Sequence, residues 1–293
     1  PLACQRAERG VHYIDLADDA AAVTEIVALD ALARERGALL VSGASTVPAL
    51  SGAVIDALTG DLETVECIEI GIAPGYDGPR GLATIRSILS YIGRPIPQWQ
   101  DGEWRSAPGW SGAMRHRYPS PVGERWLSRV DVPDMALWPR RYGGLRNLEV
   151  RAGLEVPLAH HGLGAIARLV SCGWLKDAAA HALLARRVAA LLNPWGSDCG
   201  AMHVRMAGRE PSGARRQRLW TVVATDGAGP EIPATAATLL ASRLLGLQPD
   251  SPPLTQRGAM PAVGLLMLGE FESAWRGKSL QTSIVEEAAA LLG

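Results

Sequence analysis

Polar residues suited to holding a ligand follow two short apolar runs near the start of the sequence. Tyr13 and Asp15 end the first run, and Ser42-Gly43-Ala44-Ser45-Thr46 ends and follows the second. Carboxylates and hydroxyls can hydrogen-bond a small polar ligand, and a glycine lets the backbone approach it closely. None of these residues is an obvious acid–base catalyst, so the pattern predicts binding and orientation of a small polar ligand.

Each of these residues also has a purely structural interpretation. Asp15 is equally suited to cap the turn or helix that follows it, because its carboxylate can accept backbone N–H groups. Ser42, Ser45 and Thr46 are as well suited to cap the helix predicted after Pro48. The sequence leaves both interpretations open.

A third candidate segment follows a later apolar run. Pro74, Gly75 and Arg80 lie there among several turn-forming residues. Arg80 either binds a carboxylate or phosphate through two hydrogen bonds of its guanidinium group, or is a surface residue at the start of a helix. Trp110, farther along the chain, is expected either to line the substrate pocket or to lie in the core.

The periodicity of a parallel α/β sheet would position these segments. Residues 11–16, 38–41 and 66–72 are predicted to be strands, with helices over residues 20–36 and 49–58 between them. This order is typical of the later half of a doubly wound sheet, whose ligands bind beyond the carboxyl ends of the strands. We therefore expect the three polar segments to face one crevice.

The pattern changes after residue 81. A helix is predicted over residues 82–91, followed by a hairpin centred on Asp101-Gly102. A long helical region covers residues 156–192. Residues 201–207 and 218–225 then alternate as an antiparallel strand pair with one solvated face.

These elements predict an α/β fold with two domains. Residues 1–81 would form a partial, Rossmann-like parallel sheet domain, the later half of a dinucleotide-binding domain. Residues 82–260 would form an α+β domain with a mixed or antiparallel sheet. Residues 261–293 are expected to return to the first domain.

Composition excludes several classes of protein. The 293 residues contain 29 Lys and Arg and 30 Asp and Glu, a net charge of −1, so neither nucleic acid nor a membrane is expected as a partner. The sequence has no apolar run of roughly 18 residues and no signal-peptide pattern. Four scattered cysteines predict reduced thiols and a cytoplasmic protein.

Two further motifs carry little chemistry. Gly162, Gly164 and Ala167 imitate a dinucleotide-binding turn, but they lie in a helical pattern and predict helix packing. Cys199 and His203, in a strand, would be about 13 Å apart, too far to share a metal ion. We therefore predict no metal site. No GxSxG nucleophile elbow follows a strand, so a Ser-His-Asp hydrolase is not expected either.

Several motifs, taken in order, resemble the saccharopine dehydrogenase-like family. They are residues 10–17, 42–48 and 71–87, Gly200-Ala201-Met202 and Gly229-Pro230-Glu231-Ile232-Pro233. The resemblance implies an NAD- or NADP-dependent oxidoreductase, homodimeric, that transfers hydride at a C–N or C–O centre of a small-molecule substrate. It also implies that the domain of residues 82–260 binds the substrate and dimerises. The expected cofactor-binding residues are Tyr13, Asp15, Ser42, Gly43, Ala44 and Ser45. The expected substrate-binding residues are Thr46, Pro74, Gly75, Arg80 and Trp110.

The Gly-rich phosphate-binding loop of that family is absent from this sequence. Because the sequence opens at Pro1 within a helical pattern, we expect a segment containing that loop to precede it. The residue that selects NAD or NADP would lie in the same segment, so the choice between them stays open. The alternative is a non-catalytic binding or scaffold module with the same fold.

Overall fold

The computed structural model describes residues 2–78, 81–248 and 252–287. The chain divides into two compact units, each assembled from separate stretches of sequence. Unit 1 comprises Pro1–Gly60, Val132–Ala136 and Pro230–Arg276. Unit 2 comprises Asp61–Asp131, Leu137–Gly229 and Gly277–Gly293.

The elements are numbered in chain order. The helices are α1 (Leu2–Glu8), α2 (Ala20–Val27), α3 (Asp30–Glu35), α4 (Ser51–Thr59), α5 (Leu82–Tyr91), α6 (Asp134–Arg141), α7 (Pro157–Ser171), α8 (Ala182–Leu191), α9 (Glu231–Leu244) and α10 (Leu268–Ala274). The strands are β1 (Tyr13–Ile14), β2 (Leu39–Ser42), β3 (Thr64–Ala73), β4 (Pro95–Gln100), β5 (Glu103–Pro108), β6 (Met114–Arg117), β7 (Glu124–Arg129), β8 (Asn147–Ala152), β9 (Gly200–Arg209), β10 (Arg215–Ala224), β11 (Gly258–Pro261) and β12 (Leu280–Glu287). Within the described residues, every helix is too short or too polar to cross a membrane.

Unit 1 is built on a parallel sheet of order β1–β2–β11. All four residues of β2 are buried, as expected for a parallel strand covered on both faces. Ala7, Ala33 and Leu40 form a core cluster with other small side chains. The parallel pairing of β1 with β2 confirms the arrangement predicted from the apolar periodicity.

The helix predicted over residues 20–36 is two helices. Asp19 begins α2, since its Oδ1 accepts a hydrogen bond from the Ala22 N–H at 2.9 Å. Asp30 is the first residue of α3. Its Oδ1 accepts a hydrogen bond from the Ala259 N–H at 2.9 Å, which joins the helix to β11. The apolar spacing continues across the break, so periodicity alone does not reveal it.

Unit 2 is built on a mixed sheet that has nine strands among the described residues. Its main path is β12–β10–β9–β3–β8–β4–β5, and β7 pairs with β8 and β6. β3 and β8 run parallel, whereas β9 is antiparallel to both β3 and β10. Asp101 and Gly102, with φ of 55° and 80°, form the predicted turn between β4 and β5.

Strand β3 lies in the larger sheet, whereas the sequence pattern places residues 66–72 in the first, parallel domain. It pairs with β8 and β9 of unit 2. A buried strand has the same apolar pattern whichever sheet it joins, so local sequence does not specify its partners. The parallel sheet of unit 1 takes β11 instead. The observed units therefore differ from the predicted ranges 1–81, 82–260 and 261–293.

The predicted solvated face of the β9–β10 pair is also incomplete. The first five residues of β9, 200–204, are all buried. β9 is an internal strand between β3 and β10, and both of its faces are covered there. The alternation of apolar residues predicted the antiparallel pairing correctly but not this second covered face. Gly162, Gly164 and Ala167 lie inside α7, as predicted.

Gly153, just after β8, marks a close approach between two backbone segments. A Cβ at this position would lie 1.9 Å from the carbonyl oxygen of Trp126. Since backbone must shift to admit it, we expect Gly153→Ala to lower the free energy of unfolding by about 2 kcal/mol or more. Gly164→Ala, where a Cβ meets nothing within 4 Å, is the matched control and should raise it by roughly 0.5–1 kcal/mol. Urea unfolding measures both, and equal effects would contradict the close approach.

Candidate functional site

The carboxylate of Asp15 ties together the turns that follow β1 and β2. Its Oδ1 accepts hydrogen bonds from the hydroxyl of Ser42 and the N–H of Gly43, each at 2.9 Å. It also accepts the Ala17 N–H at 3.0 Å, which is the local capping role that the sequence left open. Asp15 therefore positions the Ser42–Gly43 turn at the carboxyl end of the parallel sheet.

Gly43 allows the chain to turn sharply at the end of β2. Its φ is 78°, and a Cβ there would lie 2.6 Å from Cδ of Pro48. Ala44 is buried, and its N–H donates to the Asp15 carbonyl at 2.8 Å. Position 43 therefore requires glycine for its backbone conformation and for its packing, whatever the ligand.

Ser45 and Thr46 lie at the next two positions of the same turn. Ser45 is mostly buried, and Thr46 is partly exposed. Ser45 makes no side-chain capping bond to the helical turn Thr46–Leu50 within the part of the chain that the structure describes. The capping role considered for Ser45 is therefore not observed, and its hydroxyl stays a candidate ligand contact.

Tyr13 adds a phenol to the same end of the sheet. Partial burial raises the pKa of its phenol, and the charge and hydrogen bond of Asp15 raise it further. The phenol therefore stays protonated at neutral pH and donates its proton to Asp15, which leaves its oxygen to accept a hydrogen bond from a ligand. Tyr13, Asp15 and the turn after β2 form one cluster of polar groups within unit 1, which we call the strand-end cluster.

Pro74 and Gly75 lie in unit 2, in the loop that follows β3. A Cβ on Gly75 would lie 2.8 Å from the backbone carbon of Asp198, so this loop packs tightly on the segment before β9. Glu155 holds both segments, since its Oε2 accepts the N–H groups of Tyr76 and Ser197, each at 2.8 Å.

The last two predicted substrate residues are Arg80 and Trp110. Arg80 lies outside the described residues. Trp110 is buried, and its indole N–H donates to the carbonyl of His160 at 3.1 Å. These contacts are those of a core residue, the second of the two interpretations that the sequence allowed.

A buried network in unit 2 was missed by the sequence analysis. His203 is fully buried on β9, with Nδ1 2.9 Å from the hydroxyl of Tyr118 and Nε2 3.1 Å from Oε1 of Glu69. Arg205 donates to the other oxygen of Glu69 at 2.5 Å. Gly71, opposite His203, leaves the space that the imidazole fills, because a Cβ there would lie 2.1 Å from its Cε1.

Sequence does carry a signal for this network. Glu69 and Gly71 interrupt an apolar strand at alternate positions, and so do His203 and Arg205 in β9. Charged residues inside an apolar strand need partners when buried. Those partners become evident only from the register, which sets Gly71 against His203 and Glu69 against Arg205.

The same residues raise the question of a metal ion. Donor atoms of Glu69, His116 and His203 lie within 4.8 Å of one another. However, the two imidazoles stack face to face, 3.8 Å apart and only 9° from parallel, so their in-plane nitrogen lone pairs cannot converge on one ion. Arg205 already neutralises Glu69. The arrangement therefore fits a hydrogen-bond network better than a metal centre.

Comparison with known proteins gives a fold but no close relative. No protein-family model matches the chain, and no curated protein matches it in sequence. Apo, histidine-tagged saccharopine dehydrogenase (L-Glu forming) from Saccharomyces cerevisiae aligns with 96% of this chain and 81% of its own, at a TM-score of 0.56 and 11% identity. The chain thus has a saccharopine dehydrogenase-like fold, as its motifs predicted.

Two other solved structures align less well. A mutant of meso-DAPDH with DAP from Clostridium tetani E88 has a TM-score of 0.37 and 12% identity, over 89% of this chain and 72% of its own. GenD2 from gentamicin A biosynthesis, in complex with NAD, has a TM-score of 0.31 and 14% identity, over 99% and 75%. These TM-scores are too low to define a shared fold.

Removal of the Asp15 carboxylate should destabilise unit 1. Asp15→Ala leaves the buried hydroxyl of Ser42 and the N–H of Gly43 without their acceptor, so we expect a loss of about 2–3 kcal/mol in unfolding free energy. Asp19→Ala removes only a helix cap and should cost about 1 kcal/mol. Chemical denaturation compares the two. An Asp15 effect no larger than the Asp19 effect would show that the carboxylate does not hold the turns.

Acid should weaken the protein through Glu69. Burial alone raises the pKa of this carboxyl, but the hydrogen bonds and charges of His203 and Arg205 outweigh it and hold the pKa at about 2. A depressed pKa gives stability that is complete above the unfolded-state value near 4.5 and is lost as pH falls towards 2. The contribution is about 3 kcal/mol.

Unfolding free energies measured between neutral pH and pH 2 test this contribution. The wild-type protein should lose stability more steeply below pH 4.5 than Glu69→Gln, which lacks the titrating group. Glu63→Gln is the control, because Glu63 is exposed just before β3. Parallel pH profiles for the wild type and Glu69→Gln would contradict the network.

Proposed function

We propose that this protein is a nicotinamide-dependent oxidoreductase, with the nicotinamide half of NAD or NADP bound at the strand-end cluster. The observation that carries the proposal is the Asp15-held turn after β2, at the carboxyl end of a parallel sheet. Ligands of doubly wound sheets bind at such strand ends. The fold likeness to saccharopine dehydrogenase supports the oxidoreductase class.

The donor set of the cluster fits one half of the cofactor. Ser45 and Thr46 offer hydroxyls for a ribose or a carboxamide, the Tyr13 oxygen can accept a hydrogen bond, and Gly43 lets the backbone approach a flat ring. Asp15 acts by positioning that turn rather than by touching the ligand. No Gly-x-Gly-x-x-Gly turn follows a strand in this sequence, so these residues serve the nicotinamide half alone.

The chemistry of the proposed reaction would divide between cofactor and protein. When bound, the cofactor would donate or accept a hydride at a C–N or C–O centre of a small substrate. The protein would bind and orient the ring at the strand-end cluster. The homodimer stays a prediction, which sedimentation tests. The choice between NAD and NADP stays open, and paired titrations decide it.

The alternative function, a non-catalytic binding module, is favoured by one observation. The carboxylate of the strand-end cluster, that of Asp15, is engaged by the Ser42 hydroxyl and two backbone N–H groups, so it is not available as an acid–base group. A binding module would need no such group. Both functions share the fold, so ligand binding has to separate them.

Binding is tested by titrating NADH, NADPH and reduced nicotinamide mononucleotide against the chain, with tryptophan fluorescence as the signal. Because the contacts serve the nicotinamide half, we expect the mononucleotide to bind within about tenfold of the dinucleotides. Thr46→Val and Ser45→Ala should each weaken binding about three- to tenfold through one lost hydrogen bond.

Thr238→Val supplies the control for these titrations. Thr238 is exposed on α9, where its hydroxyl donates to the Ala234 carbonyl of its own helix, so this variant should bind as the wild type does. If none of the three nucleotides binds, the oxidoreductase proposal is overturned and the non-catalytic binding module is the remaining function. Equal loss in all three variants would place the nucleotide elsewhere.

A further inference from the structure

Helix α8 of unit 2 exposes an apolar stripe. Leu183, Leu184, Val188 and Leu191 are all exposed, and Leu191 keeps 72% of its surface in solvent. Their spacing of i, i+1, i+5 and i+8 sets them on one face of the helix. Trp195, four residues beyond Leu191, is 71% exposed. An apolar surface of this extent marks an interaction site.

The rest of α8 is anchored to unit 2, so the stripe is presented rigidly. Ala182 is buried, and α8 packs against α5. The hydroxyl of Tyr76 donates to the Ala189 carbonyl at 3.1 Å. Tyr76 is in turn fixed through its own N–H by the carboxylate of Glu155. The exposed side chains thus do not result from a loosely attached helix.

Unpaired cations accompany the stripe. Arg187 lies within it and Arg186 at its edge, and both are exposed. Neither forms an ion pair with any residue that the structure describes, whereas Arg216 and Arg218 of the same unit pair with Glu210 and Asp61. We call Leu183, Leu184, Arg186, Arg187, Val188, Leu191 and Trp195 the α8 surface.

This local charge differs in sign from that of the whole chain. Residues 174–195 contain Lys176, Arg186 and Arg187 but one acid, Asp177, whereas the chain carries −1. Whole-chain charge led us to expect no membrane partner, but binding depends on charge within a Debye length, about 8–10 Å, of the contact. An apolar face with arginines and an edge tryptophan is typical of helices that lie in a lipid interface.

A second copy of the chain fits the α8 surface less well. A two-fold dimer would place the arginines of both copies in one interface, and the α8 surface contains no acidic residue to pair with them. Like charges across an interface are repulsive. An anionic surface instead pairs with both arginines while the leucines and Trp195 enter an apolar layer.

We propose that the α8 surface docks this protein on an anionic phospholipid bilayer. Leu183, Leu184, Val188 and Leu191 insert below the headgroups, and Trp195 lies at their level. Arg186 and Arg187 bind lipid phosphates through their guanidinium groups. The helix lies along the surface, and the rest of unit 2 stays outside the bilayer.

Vesicle flotation with the full chain tests the proposal. We expect at least about tenfold more protein on phosphatidylcholine vesicles containing roughly one third phosphatidylglycerol than on pure phosphatidylcholine, with most of it released by high salt. Arg186→Gln with Arg187→Gln should abolish the preference for anionic lipid. Trp195→Ser should reduce binding several-fold without changing the charge.

Leu245→Ser is the matched control, since Leu245 of unit 1 is as exposed, at 71%, as Leu191. Leu245→Ser should bind vesicles as the wild type does, whereas Leu191→Ser should bind them more weakly. Absence of binding to anionic vesicles, or equal binding by the double arginine variant, would overturn the proposal. It would be overturned too if the wild type is a dimer in solution that Leu191→Ser dissociates, because a second copy would then cover the surface.

Discussion

The buried carboxylate of Glu69 imposes the strictest requirement on this structure. An uncompensated charge at the centre of a sheet is far too costly to retain, so its two oxygens must have charged or hydrogen-bonding partners. His203 and Arg205 supply them from β9, and Tyr118 completes the bonding of His203. Because a slip of one residue would move every side chain to the other face, these contacts specify the register of β3 and β9.

The strand-end cluster of unit 1 follows the same logic on a smaller scale. One carboxylate, Asp15, satisfies a buried hydroxyl and two backbone N–H groups, and it thereby sets the path of two turns. A turn held in this way is preorganised, so a ligand would not have to order it. The residue that orients the candidate site is therefore distinct from the hydroxyls that would touch a ligand.

The near-zero net charge of this protein conceals regions of different local charge. Most arginines that the structure describes on the large sheet are paired with carboxylates, as Arg205, Arg209 and Arg216 are. Those of α8 are not, and they stand beside exposed leucines. A near-zero net charge thus combines a neutralised sheet with a basic, apolar helix, and only the positions of the residues separate the two.

Local sequence determined the elements whose causes are local. The helix over residues 82–91, the Asp101-Gly102 turn and the parallel β1–β2 pair all follow from periodicity and turn chemistry, and the order of motifs indicated the fold family. Tertiary structure alone decided that β3 joins the larger sheet, that Trp110 is buried, and that Glu69 meets His203. Each of these depends on which distant strand pairs with which, and the apolar pattern of a strand is the same for every partner.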